Sequence, residues 1–510
     1  MVERRSRALL APALVLALLP SAVRAAWQVT PSVELRETWS DNPSLRSDGE
    51  KRSQFITSVS PGVTVTNQTP RLQVSASYQL NAFKYSGERT TGTDNVNSSL
   101  SASAKGMVVN DLLFFDAAAG ITQTPISAFG PVGDNPYSST NRSEVRSYRV
   151  SPYLVHGFGS FASAQLRYTH DMVDSDMPGF ARSTSDSLNL SINSGPTFRA
   201  LGWGLQLNRA NEEDGIAPKQ INSKVLASLR YAMTRTFSLT ATGGYDRFDY
   251  ESMGEGTKGA SWSGGFSYNP SARTSLQMSA GKRYYGNSYF LAATHRSRYT
   301  VWSINYSDDV TRSRSNFLLP SAVDTASMLS QLFISQYPDP VMRALVVSAY
   351  MRALNLPSSL PNSTNYFSNR YMLQRQFNAS VALRTARTTT LVSLYKTRRE
   401  ALSLLEYDSS LFGAGQQNIN DNTDQTGLAV MVDYRLGART NVSLAANTGR
   451  SESRSSQFSE RNRQIRAHLS HTFSPKLSGG VEVRRTSGGL ALQGGSYSEN
   501  AVAASLSMKF

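Results

Sequence analysis

The residues of this 510-residue chain that could do chemistry are few and scattered. There is no cysteine, which excludes disulfide scaffolds, thiolate metal sites, iron–sulfur clusters and a cysteine nucleophile. The five histidines are His156, His170, His295, His468 and His471, and none has metal-site or catalytic spacing. His468 and His471 stand three apart on an expected strand, so they point to opposite faces and cannot share an ion. Gly259-Ala260-Ser261-Trp262-Ser263 lacks the second glycine of a nucleophile elbow, and Gly281-Lys282 lacks the preceding phosphate loop. No catalytic, cofactor-binding or metal site is expected, and no enzymatic activity.

What remains is charge. Lys and Arg number 52 against 37 Asp and Glu, a formal charge of +15. No recognition helix or stacking motif accompanies that excess, so nucleic acid is not an expected partner. Charged residues make up only 17% of the chain, aromatic residues 10%, and the mean hydropathy is −0.34. The aromatic residues are spread along nearly the whole length, which argues against disorder. Beyond the amino terminus there is no run of ~20 apolar residues, the length a spanning helix needs.

The elements that would position the charges begin after a leader. Arg4, Arg5 and Arg7 precede an apolar stretch from Ala8 to Leu19, and Val23-Arg24-Ala25 offers small residues for cleavage. Residues 1–25 read as a secretory signal peptide, and their removal lowers the formal charge from +15 to +12. The mature chain, 26–510, then shows two-residue alternation in segments of about 9–12 residues, the length of a strand that crosses a bilayer at a tilt. Leu72, Val74, Ala76, Tyr78, Leu80 and Ala82 alternate with polar neighbours, as do Val225 to Met233 and Leu428 to Leu436. Connections alternate between short and long, as in transmembrane barrels with tight periplasmic turns and longer outer loops. The short set includes Thr234-Arg235-Thr236, Ala272-Arg273-Thr274, Ala386-Arg387-Thr388, Ala438-Arg439-Thr440 and Ser474-Pro475-Lys476. The expected fold is all-β: a transmembrane antiparallel barrel of about 18–22 strands, with both termini in the periplasm.

Such a sheet must close, because an unpaired backbone amide in hydrocarbon costs several kcal/mol. Apolar side chains then face lipid and polar ones face the lumen. Pore-lining candidates by parity are Arg71, Arg149, Arg167, Lys224, Arg230, Arg283, Arg370, Arg384, Arg466 and Arg484. Fewer acids share that face: Asp116, Asp246, Asp433 and Glu482. The excess of cations is compatible with anion preference and equally with an ordinary charged lumen.

Helical spacing interrupts the strands. Ser321 to Gln336 carries Val323, Ala326, Leu329, Leu332 and Phe333, with Ser321 and Asp324 as a capping box. A second helix is expected from Asp339-Pro340 to Asn355 and Pro357. This helical hairpin, 319–357, belongs by the turn count to an extracellular connection, either folding inward as a plug or gate or capping the surface.

Val502, Ala504, Leu506, Met508 and the final Phe510 alternate with small and polar residues. Leu506, Met508 and Phe510 resemble the terminal-strand signal that engages the barrel assembly machinery, an expected partner beside outer-membrane lipid. Trp27, Pro31-Ser32-Val33, Arg36-Glu37-Thr38, Asp41-Asn42 and Ser60-Pro61-Gly62 resemble the start of outer-membrane proteins associated with PEP-CTERM/exosortase systems. Tyr284-Gly286-Asn287-Tyr289, Tyr306 to Arg314, Gln336-Tyr337-Pro338-Asp339-Pro340 and Arg398-Arg399-Glu400 resemble that family's middle. The resemblance implies an outer-membrane barrel in an exopolysaccharide setting, with polysaccharide and periplasmic export components as partners; it carries over no catalytic residue. Tyr168-Thr169-His170 is similar to the histidine motif of outer-membrane phospholipases, but Asp171-Met172-Val173 replaces that family's serine–asparagine–glycine. The expected function is a channel taking part in export of an envelope polymer, an exopolysaccharide. Its alternatives are a general diffusion porin and a structural or interaction barrel with a closed lumen.

Overall fold

The computed structural model describes residues 27–510 except 88–91, 134, 181, 216–218, 254–255, 319–324, 335–342, 344–345, 348–364, 413–419, 457 and 491–493. The expected signal peptide lies outside the described residues, as does the capping box of the insertion.

Twenty-two antiparallel strands form one sheet. The first seven are β1 (Trp27–Ser40), β2 (Gln54–Gln68), β3 (Leu72–Tyr85), β4 (Val96–Val109), β5 (Leu113–Pro125), β6 (Arg142–Phe158) and β7 (Ala162–Ser175). Next come β8 (Ser183–Ser194), β9 (Leu201–Asp214), β10 (Gln220–Ala232), β11 (Phe237–Arg247), β12 (Lys258–Ser271), β13 (Thr274–Arg283), β14 (Gly286–Arg296) and β15 (Thr300–Thr311). The last are β16 (Met372–Arg384), β17 (Thr388–Ala401), β18 (Asn422–Arg435), β19 (Thr440–Ser453), β20 (Ser459–Ser474), β21 (Leu477–Gly489) and β22 (Ser496–Lys509). Each strand pairs with its sequence neighbours, and β1 also pairs with β22, from Ser32 opposite Lys509 to Ser40 opposite Ala501. That seam closes the barrel and removes both edges, as backbone satisfaction in lipid requires.

Alternation sorts the side chains. Leu35, Val59, Val150, Leu229, Leu428, Ile465 and Val483 stand outward and exposed. Two aromatic bands border this apolar zone. Phe158, Tyr231, Tyr268, Trp302, Tyr434 and Phe473 lie near the short turns, and Trp39, Phe55, Tyr245, Trp262 and Tyr289 near the other end. Membrane–water boundaries favour such rings, whose bodies are apolar and whose edges are polar. Inward, polar residues face each other across strands: Gln79 stands opposite Ser99, Ser77 opposite Ser101 and Ser75 opposite Ser103.

Most connections sort by end. The turn between β13 and β14 is only Tyr284-Tyr285, although it lies at the long-loop end. Ser297-Arg298-Tyr299 makes the opposite turn, with the Ser297 amide donating to Thr300 O at 2.8 Å. The longest connection joins β15 to β16 and carries helices α1 (Ser313–Leu318) and α2 (Thr325–Phe333). The remaining helical turns are Asp48–Glu50, Leu405–Asp408 and Ser409–Phe412. Of the expected second helix only Arg343, Val346 and Val347 are described, all helical; its caps lie outside the described residues.

Candidate functional site

The interior of the barrel is the candidate site, and its wall has two unlike sectors. On β3 and β4 the inward residues Gln73, Ser75, Ser77, Ser99, Ser101, Ser103 and Lys105 are exposed. Their short hydroxyls leave that side of the lumen wide and lined with donors and acceptors. The opposite sector carries one apolar row among polar neighbours. Val301 stands opposite Ala382, Ala382 opposite Leu391, and Leu391 opposite Met431, a row close to the short turns. All four point inward by parity with Ser303, Ser380, Ser393 and Gln425, and all are buried.

What buries them is the insertion. Met328, Leu329 and Phe333 of α2, together with Val347, form one core with this row, and Leu332, Val346 and Ala445 pack at its margin. The Arg384 guanidinium lies 4.0 Å from the centre of the Phe333 ring, a cation–π contact at the edge of the seat. The insertion leaves the wall at the long-loop end of β15 yet meets it again beside the short turns. Its described part therefore runs down the lumen rather than capping the outside.

A second layer folds inward at the outer mouth. Loops before β2, β6, β8 and β16 fold inward and bring Leu45, Phe129, Phe180, Tyr366 and Phe367 to near-complete burial. Buried ion pairs hold this layer to the wall. Arg312 pairs with Asp214 at 2.5 Å and Glu212 at 3.4 Å, donates to Asn369 O at 2.9 Å, and lies over the Tyr371 ring. Arg314 pairs with Glu212 at 3.0 Å and also with Asp171. On the far side Glu499 accepts from Ser40 Oγ at 2.7 Å, Tyr137 Oη at 2.9 Å and Arg484 at 3.3 Å. Asp408 accepts the Asn369 amide at 2.6 Å and the Ser368 hydroxyl at 2.9 Å. Burial pushes its carboxyl up to about 6, against those two hydrogen bonds.

The candidate cations are placed as follows. Arg149, Arg167, Lys224, Arg230, Arg283, Arg384, Arg466 and Arg484 lie on strands with inward parity. Arg71 does not line a strand: the Thr69 hydroxyl caps a turn by accepting the Leu72 amide at 3.0 Å, so β3 starts one residue later and Arg71 is exposed at the periplasmic rim. Arg370 is also a correction. It sits 1% exposed in the loop layer before β16, paired with Asp421 at 2.7 Å and donating to Ser403 O at 2.9 Å. Leu506, Met508 and Phe510 stand outward and exposed at the closing seam.

The interior is less cationic than the sequence reading suggests. Arg167 pairs with Asp116 at 2.7 Å, Arg283 with Asp246 at 2.9 Å, and Arg36 with Glu482 at 2.8 Å. Sequence reasoning missed the matching acids Asp171, Glu212, Asp214 and Glu499. They share the polar parity of β7, β9 and β22, but near the outer mouth the outward residues turn polar too and the alternation fades. The apolar seat did leave a signal: Val381-Ala382-Leu383 and Val430-Met431-Val432 are apolar on both faces, the mark of a strand buried on both sides. His468 faces in, opposite Glu482, and His471 faces out. Among the described residues no group of three or more acidic, histidine or cysteine side chains could hold a metal ion.

No family model matches the chain, and neither does any curated protein. Solved structures do. The siderophore receptor PirA from Acinetobacter baumannii is 9% identical, covers 95% of this chain and 80% of its own, and has a TM-score of 0.50. The FrpB iron transporter from Neisseria meningitidis (F5-1 variant) is 10% identical over 94% and 82%, with a TM-score of 0.49. OccAB2 from A. baumannii is 8% identical over 95% and 98%, with a TM-score of 0.33. At such identities the likeness concerns the fold alone. With the closed sheet and the apolar outer belt, it makes this chain a large β-barrel of the bacterial outer membrane.

Proposed function

We propose that the protein is a gated channel that takes part in passing an extended, hydroxyl-rich envelope polymer, an exopolysaccharide, across the outer membrane. The observation that carries this reading is the division of the lumen. The insertion occupies an apolar seat on β15 to β18, while the hydroxyl and amide ladder on β3 and β4 faces it uncovered. A lane lined by Ser, Gln and Asn can replace the hydration of sugar hydroxyls by many weak, equivalent contacts, which favours entry without trapping. Apart from Lys105 the inward residues named on the lane are uncharged, so the cargo need not be acidic. The resemblance of the amino-terminal and middle motifs to exopolysaccharide-associated barrels supports the choice of polymer. A barrel of 22 strands is wide enough to need a plug, and α2 supplies one.

A closed interaction barrel is the second reading, favoured by the loop layer across the outer mouth. Conductance separates the two. The Asn365 side chain donates to Asn316 O at 3.4 Å, so the ends of the insertion are adjacent and residues 319–364 can be removed without stretching the wall. In planar bilayers the complete chain is expected to conduct rarely, and the deleted form steadily, with current reduced by neutral polysaccharide. Current that small sugars and polysaccharide leave equally untouched returns the general porin. Silence in both forms defeats every transport reading.

A further inference from the structure

The outer surface carries a feature that the channel reading does not use. On the lipid-facing side of β18, β19 and β20 a furrow runs along β19, where Ala446 and Thr448 are small, between Leu428 and Val430 on one side and Ile465 on the other. Its floor is continuous with the apolar belt: Leu428 is 40% and Ile465 61% exposed. At its upper end, toward the long loops, stand Arg450, Arg461 and Arg463. Register places Arg450 directly opposite Arg461, with Arg463 two residues along on the same face. Like charges directly opposed on a sheet destabilise it unless something anionic sits between them. Of the three, only Arg450 has a carboxylate partner among the described residues, that of Glu452, and it also donates to Ser459 Oγ at 3.2 Å. Arg461 and Arg463 are exposed and form no ion pair among the described residues. Lys396 and Arg485 flank the group on the same outward face, above Leu394 and Val483.

We infer that this furrow is a binding site for a phosphorylated acyl-glycolipid of the outer leaflet, its phosphate held by Arg450, Arg461 and Arg463 and an acyl chain laid along Ala446. The three elements of that ligand match three features in order of depth. Guanidinium pairs hold phosphate oxygens two at a time, Thr448, level with Arg463 and below the Arg450–Arg461 pair, offers a hydroxyl at sugar height, and the furrow below is apolar. The position fits one leaflet only, because the cations lie at the long-loop end of their strands. The inference is independent of whether the lumen conducts.

The test is binding of lipid A to the purified, detergent-solubilised barrel, read by native mass spectrometry. Folding of every variant is checked by heat-dependent gel mobility. Lipid A is expected to bind saturably to the wild-type chain, and R461Q/R463Q to weaken it by about ten-fold or more, as the loss of charge-assisted contacts demands. R298Q, at the periplasmic rim, is expected to leave it unchanged. Dephosphorylated lipid A should bind the wild type no better than the double variant. Equal binding by wild type and R461Q/R463Q overturns the inference, as does equal binding of the dephosphorylated form, which marks an ordinary boundary lipid. Competition by millimolar inorganic phosphate as effective as lipid A itself would also overturn it, by removing any role for the furrow.

Discussion

At the scale of single residues, the outer layer depends on charges that would be costly if unmatched. Arg312 and Arg314 place two guanidinium groups among Glu212, Asp214 and Asp171, all nearly inaccessible to water. Removing one partner from such a set leaves a buried charge and typically costs about 3–5 kcal/mol, so these groups fix where the loops can sit even though the set adds little net stability. Asp408 is different, because burial outweighs the backbone amide of Asn369 and the Ser368 hydroxyl that it accepts. Its carboxyl rises from the ordinary 3.8 to about 6, so the folded layer prefers it protonated. The stabilising contribution is therefore complete below about pH 4 and is lost as pH rises through about 6, with an upper bound of ~3 kcal/mol. Hydrogen exchange of residues 365–371, corrected for intrinsic rate, should show protection that falls between pH 4 and 7, and Asp408→Asn should flatten the profile. Protection that rises with pH would contradict this assignment.

At the scale of elements, α2 and its seat form a hydrophobic contact between a helix and the inside of a membrane barrel, where water or polar side chains are the usual occupants. Leu329 is fully buried at the centre of that contact. Leu329→Ala should cost the contact about 2–5 kcal/mol. The loss should appear as more frequent and longer openings in single-channel records while the barrel's heat-dependent gel mobility stays unchanged. Openings of wild-type frequency would mean that α2 does not hold the lumen closed. Much of the strand pattern was legible because alternation has period two and a one-residue slip would turn every side chain to the wrong face. The Tyr284-Tyr285 turn was not, since two tyrosines carry no turn signature. Neither was the direction of the insertion: helical spacing in α2 shows which residues want cover, but the residues that supply it lie on β15 to β18, separated in sequence and read as ordinary wall.

At the scale of the whole molecule, the sequence showed a basic chain with more inward cations than acids, whereas the folded barrel pairs several of those cations, Arg167, Arg283, Arg466 and Arg484, with acids inside itself. Net charge is a sum over the chain and says nothing of pairing, which depends on strand register and on loops that return from far away; Arg312 meets Glu212 across a separation of 100 residues. The picture that results is a closed sheet, oily outside and polar inside, on one side of whose bore the described part of its longest loop is seated. The most direct check uses the absence of native cysteine. Leu329→Cys combined with Ala382→Cys, on the inner face of β16, is predicted to form a disulfide in intact outer membranes. Leu329→Cys combined with Leu383→Cys, on the outer face of the same strand, is predicted not to. A bridge to position 383, or none to position 382, would contradict an insertion seated inside the barrel.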